Sequence, residues 1–79
     1  MTPEQREAYL SAALDQEACK PTLTEALISR VVALRADGAA PLSLIEALEN
    51  LYEEPDQLNR DVIEAVLEWI LAAMAGGQW

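Results

Sequence analysis

Asp61-Val62-Ile63-Glu64-Ala65-Val66-Leu67-Glu68-Trp69-Ile70-Leu71-Ala72-Ala73-Met74-Ala75-Gly76-Gly77 is the stretch whose reading decides the fold. At about 100° per residue, Val62, Ile63, Val66, Leu67, Trp69, Ile70, Leu71 and Met74 gather on one side of an α-helix. They cover roughly half its circumference, which exceeds an ordinary amphipathic stripe. Such a helix is central, or carries a second contact surface, or both. Gly76-Gly77 ends it, and its start is expected near Asp56 or Asn59.

Three more helices are legible upstream. Pro41 or Ser43-Leu44-Ile45-Glu46 opens the third, as a first-turn proline or a capping box. Leu44, Ile45, Leu48, Leu51 and Tyr52 share one of its faces, and Glu54-Pro55-Asp56 ends it. Thr22-Leu23-Thr24-Glu25 reads as the capping box of the second helix, whose Leu23, Leu27, Val31 and Leu34 stand at core spacing. Arg35 suits that helix's last turn, and Asp37-Gly38 stops it. Thr2-Pro3-Glu4-Gln5 opens the first helix, expected from Pro3 to about Ala18. Its apolar face is thin (Leu10, Ala13, Leu14), so it is expected at the periphery.

Short connectors predict that consecutive helices pack as antiparallel neighbours. The expected architecture is all-α, a small four-helix bundle in one acidic domain spanning residues 1–79. Its expected core is Leu27, Val31, Leu34, Ile45, Leu48, Leu51, Val66, Leu67 and Ile70. A chain this short buries only about 60–65% of its unfolded surface, so oligomerisation or docking on a partner is a natural source of further stability. The 52% hydrophobic content argues against disorder.

Charge narrows the function classes. The chain has 14 Asp plus Glu, 5 Lys plus Arg, no His and a net charge of −9. Direct nucleic-acid binding is not expected, nor is docking on anionic membranes. The longest apolar stretch is far shorter than the ~20 residues of a membrane span. Cys19 is the only cysteine, which excludes a disulfide within the chain and points to a cytoplasmic setting. With no His and one Cys, no zinc site is expected, and no cofactor motif is present. No His stands ready to activate Ser11, Ser29 or Ser43, so the expectation is a non-enzyme. Cys19 is placed near the C-terminal end of the first helix, as a semi-buried structural thiol.

The acidic residues of the last two helices form two rows with no basic member. Glu46, Glu49 and Glu53 make one, and Asp61, Glu64 and Glu68 the other, each at i, i+3, i+7. From Ala36 to Trp79 the only basic residue is Arg60. Stable helix surfaces usually mix signs, because like charges at these spacings cost a few tenths of a kcal/mol each. Carboxylates spaced about 5–6 Å apart also approach the ~7 Å phosphate spacing of a nucleic-acid strand. The rows therefore read as a nucleic-acid mimic that binds a basic surface of a partner protein, as an inhibitor would. Their bland reading is a pair of solvated faces, since Glu is a good helix former. Trp69, at the edge of the apolar arc, is a core residue or a partner anchor. An alternative function is a helical adaptor, chaperone-like protein or homodimer, held through the wide apolar face of the last helix.

Asp37-Gly-Ala-Ala-Pro-Leu-Ser-Leu-Ile-Glu-Ala-Leu-Glu-Asn-Leu-Tyr-Glu-Glu54 looks like the start of the recognition helix in acyl carrier proteins, which are also acidic four-helix domains of this length. That family attaches phosphopantetheine to the Ser of an Asp-Ser-Leu motif. Here Ala40-Pro41-Leu42 stands in that place, and Ser43 lies two positions late without the preceding Asp. The second helix also replaces what is mostly a long loop in that family. The resemblance implies at most a degenerate acyl-carrier-like domain without its phosphopantetheine site.

Overall fold

The computed structural model describes residues 2–79, which form α1 (Pro3–Leu14), α2 (Lys20–Ala36), α3 (Pro41–Tyr52) and α4 (Arg60–Ala75). The protein is an all-helical bundle. Its overall extents are 32 × 25 × 19 Å. The shortest of these matches two layers of helices, each about 10 Å thick.

Local chemistry explains most of the helix ends. Thr2 and Gln5 form the expected capping box: Gln5 N–H donates to Thr2 Oγ1 at 3.2 Å, and Thr2 N–H donates to Gln5 Oε1 at 2.9 Å. α2 ends in a Schellman motif, with Gly38 N–H donating to the Arg35 carbonyl and Ala39 N–H to the Leu34 carbonyl. Gly38 has φ +93°, a left-handed conformation that favours glycine. α4 ends the same way at Gly77, φ +68°, with Gln78 N–H donating to the Ala73 carbonyl at 2.8 Å.

Two boundaries differ from the sequence expectation. α1 stops at Leu14 rather than Ala18, with no basic residue in its last turn to favour continuation. Asn59, from the far side of the chain, donates its amide to the Leu14 carbonyl at 3.2 Å and closes that end. α2 starts at Lys20 rather than Thr22. Pro21 lies in its first turn, where a missing N–H costs nothing. The expected Thr22 capping box therefore does not form, and the Thr24 hydroxyl donates to the Lys20 carbonyl inside the helix. In α3 the proline start prevails over the Ser43 box, with Ala40 as N-cap.

The packed pairs are α1–α2, α1–α3, α3–α4 and α2–α4. They close a ring in the order α1–α2–α4–α3, so α2 and α3 lie on a diagonal. This corrects the expectation that α2 and α3 would be neighbours across their short connector. Leu10, Ala13 and Leu14 of α1 are all buried and fill one side between α2 and α3, while α4 fills the other. α1 supplies the fewest buried residues of the four helices, as its thin apolar face suggested.

The core is wholly apolar among the described residues. Leu27, Val31, Leu34, Leu48, Leu51, Val66 and Ile70 are buried as expected. Ile45 and Leu67 are not: both are half-buried, at the edge of the core. Leu44 takes the inward position in α3, and Val62 and Ile63 take it in α4. Ile45 and Leu67 lie at the edges of the same inward faces, because adjacent apolar residues leave open which of them points fully inward until α3 and α4 dock. Leu48→Ala should therefore cost about 2–5 kcal/mol, the range for emptying a closed leucine site. Leu67→Ala should cost clearly less. Urea denaturation checks this, and equal losses would place Leu67 in the core.

Candidate acidic interface

The α3 row follows from the helix period. Leu44, Ala47, Leu48 and Leu51 face inward, which turns Glu46, Glu49 and Glu53 to water. Glu53 is the C-cap. None of the three forms an ion pair among the described residues. Glu46 also lines an open cleft between α1 and α3, together with Arg6, Glu7, Ser43 and Asn50.

The α4 row is less uniform. Asp61 is paired with Lys20 of α2, Nζ to Oδ1 at 2.8 Å. Lys20 Nζ also donates to the Leu58 carbonyl and to Asn59 Oδ1. The hydrogen bond from Lys20 holds the Asp61 carboxyl below the usual carboxylate range. Glu64 accepts from the Tyr52 hydroxyl at 2.8 Å, which links α4 to α3. That hydrogen bond, and then the Glu64 charge, holds the Tyr52 phenol above its ordinary range. Glu68 is exposed.

Arg60 is the one basic residue of the second half, and it does not neutralise either row by an ion pair. Its Nε donates to the Tyr52 carbonyl at 2.9 Å and its Nη2 to the Glu54 carbonyl at 2.8 Å, so it caps the end of α3. Residues 41–79 thus hold eight acidic side chains against one cation committed to backbone. Among the described residues no three Asp, Glu, Cys or His side chains converge as a metal site would require. No helix among them is long and apolar enough to cross a membrane.

Trp69 sits elsewhere. It is half-buried and shares an open cleft with Arg35, Ala72, Ala73 and Gln78, on the α2 side of α4. The Schellman turn at Gly77 brings Trp79 back beside it, with the Arg35 guanidinium 5.6 Å from the Trp79 ring centroid. The structure therefore brings Glu46, Glu49 and Glu53 together on α3 and Glu64 and Glu68 on α4, while Trp69 faces another neighbour.

Cys19 corrects its expected role. It is exposed, and it is the N-cap of α2 rather than a tail residue of α1. Its Sγ lies 3.1 Å from Thr22 Oγ1. The Thr22 hydroxyl, aided by the Thr22 backbone, lowers the thiol below its usual range. The earlier start of α2 was the missing signal.

Two titrations follow. Cys19 should react with iodoacetamide at a lower pH midpoint in the folded chain than in urea, and Thr22→Val should raise that midpoint. Intact mass against time measures both, and coincident midpoints would contradict the Cys19–Thr22 contact. Asp61 releases its proton more readily folded than unfolded, so its pairing supports the fold at neutral pH. That support is lost as pH falls through the lowered Asp61 pKa. The pair is half exposed, so the effect is small. Lys20→Met should return the Asp61 titration upward, as read from its carboxyl carbon shift. Comparison with family models, curated proteins and solved structures gives no match for this chain.

Proposed function

We propose that this chain is a non-enzymatic protein-binding module whose α3–α4 side engages a basic surface of a partner protein. The observation that carries this reading is the charge of residues 41–79, where Asp61 alone of eight carboxylates has a cationic partner and Arg60 caps α3 instead of pairing with one. Rows of carboxylates at helical spacing suit a surface built to hold phosphates. The concrete form is an inhibitor that occupies a nucleic-acid-binding groove of its target. Long-range attraction speeds such encounters and makes them salt-sensitive. An exposed free thiol at Cys19 fits a reducing compartment such as the cytoplasm.

A second reading draws on Leu71, which is 54% exposed on the broad apolar arc of α4. It makes the chain a helical adaptor or a homodimer, held by apolar burial and insensitive to salt.

The test compares wild type with the E46Q/E49Q/E64Q/E68Q variant as bait in lysate of the native host. Helicity by circular dichroism confirms that both are folded. A nucleic-acid-handling protein retained by wild type, released by moderate salt and held at least about tenfold more weakly by the variant is the expected result. Equal retention by both baits at low salt would overturn the acidic reading.

A further inference from the structure

The Tyr52–Glu64 hydrogen bond fixes how α3 and α4 line up, and the line it starts is apolar. The C-terminal end of α3 meets the N-terminal end of α4 there and the two helices pack on each other, an antiparallel pairing. Seven residues make nearly two full turns and return to the same face about 10 Å further along. Seven steps back from Tyr52 is Ile45, and seven steps forward from Glu64 is Leu71. These two residues therefore stand level on the outer side of the α3–α4 seam. Ile45 is half-buried and Leu71 is 54% exposed. Leu67 and Met74, both half-buried, continue the strip along α4. Leu42, 69% exposed, extends it toward the start of α3.

The flanks of this strip are acidic on both sides. On α3, Glu49 lies between Ile45 and Tyr52. On α4, Glu68 lies between Glu64 and Leu71. Both are exposed.

We propose that the apolar α3–α4 seam is a docking face for one basic amphipathic α-helix of a partner protein. The face rests on the acidic-interface reading and names the class of partner. A helix laid along the seam would place apolar residues at i, i+3, i+4 and i+7 on Ile45, Leu67, Leu71 and Met74. Its Lys and Arg residues would meet Glu49 on one flank and Glu68 on the other. Charge complementarity selects this occupant over a second copy of the chain. Two copies each carry a charge of −9, and a two-fold pairing through the seam would set the same carboxylates against each other. A purely phosphate-binding groove would leave Leu71 and Ile45 without an apolar partner.

The probe is a fluorescein-labelled helix of about 18 residues, five turns of leucine and lysine with leucine at i, i+3, i+4 and i+7. Its control has the same composition scrambled, so that charge is kept and the apolar face is lost. Binding is followed by anisotropy. The helical peptide should bind wild type at least about tenfold more tightly than the scrambled one. Leu71→Ser should remove about a tenfold share of that affinity, the size expected for withdrawing one leucine from an apolar contact. Because Leu71 is half exposed, this variant should keep the wild-type helicity. E49Q/E68Q should weaken binding and flatten its salt dependence.

Equal binding of the two peptides, or no effect of Leu71→Ser, would overturn the docking face while leaving the acidic interface standing. A wild-type dimer in sedimentation that Leu71→Ser dissociates would also overturn it, because a second copy would then own the seam. Loss of both peptides' binding together with equal lysate retention by the E46Q/E49Q/E64Q/E68Q bait would overturn both readings.

Discussion

The corner formed by residues 57–61 is the constraint on which the rest of the bundle depends. Asn59 closes the end of α1 through the Leu14 carbonyl. Lys20, at the start of α2, reaches Leu58, Asn59 and Asp61. Arg60 closes the end of α3 through Tyr52 and Glu54. One short segment before and within the first turn of α4 thus satisfies or joins ends of all four helices. The core contributes burial but no polar direction, since every buried side chain among the described residues is apolar. Hydrogen bonds at this corner supply the direction, because carbonyls at helix ends need partners of defined geometry.

The same corner sets the surface charge. A cation on an acidic half would ordinarily drift among nearby carboxylates and dilute the field. Here Arg60 is held by two carbonyls and lies over the Tyr52 ring, 5.9 Å from its centroid. Lys20 neutralises only the N-terminal end of the α4 row. What remains is a negative field over the middle of α3 and α4, beside the apolar strip of Ile45, Leu67, Leu71 and Met74. Field and strip act at different distances. The field extends over about a Debye length, while apolar burial acts only on contact.

The four helices were legible because prolines, glycines and apolar spacing all agreed on them. The end of α1 was not, because Asn59 sets it from 45 positions away. Leu44 and Ile45 are both apolar and adjacent, so periodicity alone left their order open. The diagonal placement of α2 and α3 depends on which faces α1 and α4 cover, and no local pattern encodes that. Of the candidate site, Glu46, Glu49, Glu53 and Glu68 lie on the open faces that spacing predicts. The engagement of Asp61 by Lys20 and of Glu64 by Tyr52 came only with the packing. The position of Cys19 turns on the same α1–α2 boundary, since it is the N-cap of α2.

The ring order α1–α2–α4–α3 also shapes how the chain assembles. Two of its contacts, α1–α2 and α3–α4, join helices adjacent in sequence, and each can form as a local hairpin. The other two, α1–α3 and α2–α4, join one hairpin to the other and complete the core. The bundle is thus two halves docked on each other, of which the second carries most of the negative charge. Both halves are net negative, so the contacts between them form against repulsion, and the α3–α4 half, with eight carboxylates and one cation, carries repulsion of its own. Dissolved salt screens that repulsion, and it therefore favours closure of the ring.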